Sequence, residues 1–422
     1  NIVEDVGSAN QYAWTVPTGK VAGNGYRIKV YDAGSGDDHD FSDYDLTITP
    51  EIMFEVESSE HFDHAGPHLR TNDGNIVIAG GKNSNAHLLK IDASNGTILW
   101  SNEYGHTGFN NIDQFNQVIE SNNGGLIATG QYNYSSGNFG DAFWVKTDSN
   151  GNEEFSDSFG TETTEYEHAQ SIINTDDGGY FISARFDNGS TYIKLDANHA
   201  YQWHKDYQTG NYHIPLGHII KDSDGGIIIL SSEASNGEPS DLNPFLRKVD
   251  ASNGDEIWRT ATLGNGGAYS ATHMSQTSDG GAIISGYERA SPSDNSFLQA
   301  FVIKVDASGN QEWFRGFQDL LSNGRNLVNL IESVSETPSD GGYIAVGSRV
   351  LRFDNNDNVI RSVYVLKMDS NGDKQWDCVL PLPQVNTSNE RAGRGISEIQ
   401  NGHYVITGSH GLFLKINANF ID

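Results

Sequence analysis

From about residue 50 to the end of the chain, short apolar runs rich in Ile, Val, Ala and aromatic residues alternate with clusters of Gly, Asn, Asp and Ser. Runs of this length, closed off on both sides by turn residues, predict strands rather than helices. The runs also repeat. A phrase made of a tight turn and a β-branched strand occurs seven times, from Asn72-Asp-Gly-Asn-Ile-Val-Ile-Ala-Gly80 through Asp177-Gly-Gly-Tyr-Phe-Ile-Ser183 and Asp279-Gly-Gly-Ala-Ile-Ile-Ser-Gly286 to Asn401-Gly-His-Tyr-Val-Ile-Thr-Gly408. The Asp-Gly or Asn-Gly pair supplies the positive φ that a tight hairpin needs. Successive copies lie 47 to 61 residues apart, the length of one four-stranded propeller blade.

A second phrase follows the first six copies. It begins with Lys and Asp, turns through Ser-Asn-Gly or a close variant, and ends on an aromatic: Lys90 to Trp100, Lys146 to Phe155, Lys194 to Trp203, Lys248 to Trp258, Lys304 to Trp313 and Lys367 to Trp376. This reads as a second hairpin whose aromatic enters the gap between blades. The seventh copy, Lys415-Ile-Asn417, reaches Asp422 without an aromatic. Its outer strand is expected at the other end of the repeats, in Glu51-Ile-Met-Phe-Glu-Val56, which carries Phe54. Pairing both termini of the repeat array in one blade removes the free sheet edges. The predicted fold is therefore all-β: a seven-bladed β-propeller over 51–422, closed by its termini.

Residues 1–50 fall outside the repeat. Trp14-Thr-Val-Pro17, Gly23-Asn-Gly-Tyr26 and the strand Asp45-Leu-Thr-Ile-Thr49 resemble the C-terminal half of the Ig-like β-sandwich of Kre9/KNH-type cell-wall proteins and bacterial exoproteins. The blades resemble the Asp-Gly-Gly-Tyr-Ile repeats of secreted bacterial propeller proteins. Together these resemblances imply an N-terminal partial Ig-like domain, an extracellular or cell-surface location, and a place within a longer multidomain chain.

Charge narrows the partners. Twenty-six Lys and Arg stand against 56 Asp and Glu, a net charge of −30. Nucleic acid is excluded as a partner, because phosphate binding needs a basic footprint. No apolar stretch is long enough for a membrane-spanning helix, so membrane insertion is not expected. The single cysteine, Cys378, excludes an internal disulfide and reads as core filler in an apolar strand.

The Asp-x-Asn-Gly strings do not follow the calcium-loop pattern, and their recurrence in nearly every blade makes them hairpin turns. A better calcium candidate is the acidic loop holding Asp37, Asp38, Asp40, Asp43 and Asp45, whose carboxylates repel unless solvated or bridged by a hard cation. The repeated lysines are architecture, since a group present in every blade cannot mark one asymmetric site.

Residues that differ between blades carry the functional candidates. Entering the expected innermost strands are His61, His64 and His68; Tyr166 and His168; Tyr212, His213 and His218; Tyr269 and His273; and Arg391 and Arg394. Tyr166, His168, His213, His273 and Arg391 form a candidate catalytic set. A Tyr or His could abstract the proton beside a uronate carboxylate while Arg neutralises the acid, and two or three of the histidines could instead bind a divalent cation. The plain alternative is a set of polar residues filling the channel. Phe109, Tyr132, Tyr134, Phe139, Tyr166, Tyr212 and Tyr269, read as aromatics of long variable loops, could stack on sugars, and His64, Tyr132, Tyr134, Tyr212, Tyr269 and Arg394 form the candidate binding set. Three functions compete: an extracellular module recognising a polysaccharide or cell-surface protein, a polysaccharide-degrading lyase or endo-hydrolase, and a structural surface or filament protein. None requires a cofactor, calcium apart.

Overall fold

The computed structural model describes residues 64–420 except for 106–111, 122–123, 136–137, 161–166, 187–188, 209–212, 235–241, 292–293, 321–325, 328, 354–358, 381–391 and 410–411. Before that it describes residues 51–57 and five short strands between 20 and 48. Seven four-stranded antiparallel sheets make up the body, each a meander of consecutive strands except the last. The first strands of the sheets are His64–Arg70, Ile112–Glu120, Glu167–Asn174, His213–Lys221, Ala268–Gln276, Asn329–Thr337 and Gly393–Gln400. Each neighbours the first strand of the next sheet, and the seventh neighbours the first, so these strands form the inner wall of a closed ring. The protein is a seven-bladed β-propeller.

The seventh blade joins Gly393–Gln400, His403–Gly408 and Leu412–Asn417 to Glu51–Glu57. Lys415 pairs with Phe54 across this join. The same register sets Lys90 against Trp100, Lys146 against Phe155 and Lys304 against Trp313. Glu51–Glu57 thus stands as the fourth strand of the seventh blade.

Two devices explain the repeated phrases. In the first, the lysine of the third strand is buried and its ammonium reaches the aspartate of the first turn: Lys90–Asp73 2.7 Å, Lys194–Asp177 2.8 Å, Lys248–Asp224 2.6 Å, Lys304–Asp279 2.7 Å and Lys367–Asp340 2.8 Å. The first Gly of the turn has positive φ, +83° at Gly280. The second must lack a side chain, because a Cβ on Gly281 would stand 2.7 Å from the Lys304 ammonium. Blade two carries Asn122-Asn123 in that turn, and Lys146 turns instead to Glu154, 2.8 Å away. Burial alone would raise the Asp177 carboxyl, but hydrogen bonds from Lys194, Thr175 and the Gly179 N–H hold it down at about 2.

In the second device, the outer aromatic lies against the glycine of the next blade's second hairpin: Trp100 on Gly151, Trp203 on Gly254, Trp258 on Gly309 and Trp313 on Gly372. Blade three departs from this at both partners. Its turn holds His199, at φ +69°, facing Phe155 instead of a tryptophan, with ring centroids 5.9 Å apart. The turn carboxylates are spent internally: Asp148 Oδ1 accepts the N–H groups of Asn150 and Asn152, and Asp306 Oδ1 those of Ser308 and Asn310. That accounts for the Asp-x-Asn-Gly strings as turns.

Cys378 is buried within the cluster between blades six and seven, where burial pushes its thiol pKa up. Before residue 50, Gly23–Tyr26 pairs with Leu46–Ile48, Lys29–Tyr31 with His39–Phe41, and Lys20–Val21 with Asn419–Phe420. Residues 1–19, and with them the Trp14-Thr-Val-Pro17 part of the Ig-like expectation, lie outside the described residues. No helix long and apolar enough to cross a membrane occurs among the described residues.

Candidate functional site

The candidate histidines belong to the inner wall itself rather than to loops entering it. His64 and His213 open the first strands of blades one and four, His168 is the second residue of its strand, and His273 sits at mid-strand. The reason is a β-bulge in each first strand, seen between Ala169 and Ser171 and between Ala271 and His273. It keeps the strand paired beyond the point where the sequence suggests a loop.

Around the bulges, side chains clip one blade to the next. Asn116 Nδ2 donates to Ala169 O at 2.7 Å, and Gln117 Oε1 accepts from Ile172 N at 2.6 Å. Thr272 and Ser275 donate to Ile331 O and Val334 O, and Ser335 donates to Ile396 O. His273 takes the same part as Gln117: its Nδ1 accepts from Val334 N at 3.4 Å. Its ring meets His218 edge to face, with centroids 4.8 Å apart. His68 crosses to blade seven, Nε2 to Ser397 Oγ at 2.6 Å and Nδ1 to Thr407 Oγ1 at 3.0 Å. Desolvation in this narrow wall lowers His68, His168 and His218 to about 4 and His273 well below its usual value. The charge of Arg185 adds to the effect at His168, its register partner. Burial thus favours the neutral form of all four rings and lowers their strength as proton acceptors.

The remaining candidates disperse. Arg394 donates to Glu332 of blade six at 3.1 Å. Tyr269, expected in a loop, is buried between blades four and five. Its ring lies against Phe301 and Phe314, each with its centroid 5.3 Å away, so its faces are taken by protein. Tyr132 and Tyr134 lie on the strand Leu126–Ser135 and Phe139 on Asn138–Thr147, a long hairpin rather than a loop. Tyr132 is half-buried, 6.0 Å from the ring of Phe143. His61, Phe109, Tyr166, Tyr212 and Arg391 lie outside the described residues. So do Asp37, Asp38, Asp43 and Asp45, while Asp40 contributes only its backbone to a short strand. Among the described residues no group of three or more His, Cys, Asp or Glu is arranged to hold a metal ion.

Two cavities stand out. One, of about 440 Å³, opens among the hairpin turns of blades three and four beside Asp176, Asp177, Asp224 and Asp250. Each carboxylate there is already engaged, by Lys221, Lys194, Lys248 and Ser252 respectively. The other, of about 330 Å³, lies between blades one and two, beside Tyr132, Phe143 and the outer strand Glu153–Phe159. Sequence reading missed Arg185 opposite His168, and it missed the serines of this outer strand. The signal for the serines was faint: the residue after the outer aromatic is His204, Arg259, Phe314 or Asp377 in blades three to six but Ser101 in blade one and Ser156 in blade two, and only blade two repeats the serine two residues on, at Ser158.

No family model matches the chain, and no curated protein matches it. Among solved structures it is similar to Raptor of Chaetomium thermophilum, at a TM-score of 0.54 and 6% identity, over 87% of this chain and 29% of that one. It is also similar to a puromycin hydrolase, at 0.50 and 10%, over 83% and 51%. A Bacteroides caccae protein of unknown function aligns over 72% of this chain and 94% of its own, at 0.42 and 13%. What Raptor and the puromycin hydrolase share with this chain is the fold.

Proposed function

We propose that the protein is an extracellular recognition module that binds a glycan or a cell-surface partner, with the Ig-like segment as a spacer. One observation carries this reading: the connections vary far more in length and sequence at one end of the ring than at the other. In a four-stranded meander, the first and third connections share one end, and the second connection shares the other with the link to the next blade. At the first end the turns are near-copies, 71–75, 121–125, 175–179, 222–226 and 277–281, each locked by its hydrogen bonds. At the other end the connections run from two residues at 136–137 to thirteen at 380–392, with no common sequence. A rigid scaffold presenting variable connections on one face suits recognition. The bonds that tie His68 and His273 to neighbouring blades, with the burial that disfavours their protonated forms, weigh against acid–base chemistry at those two rings.

A polysaccharide-degrading enzyme is the second reading, supported by His168 with Arg185 as its register partner. A panel of neutral and anionic polysaccharides, assayed for both depolymerisation and retention in a gel, tests the two. Retention without cleavage is expected; cleavage abolished in His168→Ala would replace the binding reading with the enzyme. Neither retention nor cleavage would leave a structural surface protein.

A further inference from the structure

The first six blades serve as controls for one another, and by that comparison the gap between blades one and two is left open among the described residues. The residue after the outer aromatic pairs with the residue before the third-strand Lys, and in blades three and five it packs toward the preceding blade. In blade five that residue is Phe314, its ring 5.8 Å from Phe301 and 5.3 Å from Tyr269. In blade four it is Arg259, stacked 3.9 Å over Phe245, and in blade three His204, 4.8 Å from Phe159. In blade six it is Asp377, held by Tyr364 and Lys374, and in blade one Ser101, bonded by His87 at 2.8 Å. Blade two has Ser156 there, against Val145, and two residues on Ser158 stands against Phe143. The neighbouring strand end from blade one is Gly105, which adds no side chain. Small residues on both sides leave the cavity of about 330 Å³, a volume within the range of small-ligand sites, roughly 300–1,000 Å³.

The geometry points to this cleft as a subsite for one neutral sugar unit of a glycan. This rests on the recognition reading above and locates it. The half-buried Tyr132 ring, with the buried Phe143 beside it in the lining, offers an apolar wall to a sugar's C–H face, since aromatic rings bury large flat area. Ser156 donates to Glu153 at 2.7 Å, which orients its oxygen as an acceptor, and Glu153 and Asp157 are carboxylate acceptors for sugar hydroxyls. The same carboxylates, on a chain of net charge −30, repel uronate and sulfate groups.

The test refills the cleft as blade five does. Neutral gluco-, manno- and galacto-oligosaccharides, with alginate and carrageenan oligomers as anionic controls, are titrated calorimetrically against the parent, Ser156→Phe, Ser158→Phe and Glu153→Gln. A neutral oligosaccharide should bind the parent and bind either Phe variant at least tenfold more weakly, with an unchanged melting temperature. Glu153→Gln, which keeps the shape, should weaken it about fivefold. Unaltered affinity in both Phe variants and in Glu153→Gln would overturn the cleft while leaving recognition elsewhere intact. Equal binding of alginate would overturn the ligand class. A parent that binds no neutral oligosaccharide removes the subsite, and failure to bind any glycan or surface partner removes the recognition reading as well.

Discussion

Lys415 and Phe54 are register partners although they come from opposite ends of the repeat array, and their pairing copies Lys304 with Trp313 inside a continuous blade. The seventh blade is thus finished by a strand from the first part of the chain. A variant beginning at residue 58 should melt about 5 °C or more below one beginning at residue 51, and proteolysis should release the 412–417 strand first. Equal melting curves would mean that Glu51–Glu57 adds nothing to the ring.

The lysine–aspartate clip predicts an asymmetry. Lys194 is buried with its ammonium between Asp177 and Leu195 O, whereas Asp177 is half exposed. Asp177→Ala strands a buried cation and should cost about 3 kcal/mol in urea denaturation. Lys194→Met leaves a solvated carboxylate and should cost about 1 kcal/mol. Equal losses would show that the ammonium reaches water without its partner.

Acid should loosen the inner wall. The folded-state values of His68, His168 and His218, about 4, lie below the unfolded 6.5, so the unfolded chain takes up protons first as the pH falls. Their contribution is complete above about pH 6.5 and is lost between there and about 4. Melting temperature should fall across that window. In His68→Leu, which places an apolar residue where other blades have Val118, Ile172 or Val334, the fall should be shallower by about one proton's worth. An unchanged slope would mean that His68 already titrates normally in the fold.

Most of the fold was legible because repetition turns a weak local signal into a register. The lysine-to-aromatic spacing located third and fourth strands, and the missing aromatic after Lys415 pointed to Phe54. The candidate site was less legible. Sequence phase brings His68 to the inner wall, but not across to Ser397 and Thr407, residues 329 and 339 positions away. The open cleft is made of what is absent at Ser156, Ser158 and Gly105, and absence shows only after the strands are aligned. Tyr269 looked like a loop aromatic because the bulge after it hides the strand's length.

Blade three offers a coupled exchange. His199 replaces the usual turn glycine and Phe155 the usual tryptophan, so each change accommodates the other. Phe155→Trp alone should be destabilising by about 2 kcal/mol through overpacking against His199. His199→Gly relieves a left-handed backbone but loses the stacking on Tyr180, 5.3 Å away. The double variant should recover at least about 1 kcal/mol relative to the sum of the singles. Additive effects would mean that the two positions do not touch in solution.

The closing strand also decides how the ring answers to force. Glu51 and Asn417 are partners at the same end of their ladder, with Leu412 and Glu57 at the other. Tension applied between the chain before Glu51 and the chain after Asn417 therefore acts at one end of the pairing and peels it a residue at a time. A ladder pulled lengthwise would have to break all its bonds together. The feature that seals the ring at rest is its mechanical release point, and under load the seventh blade should open before any of the other six.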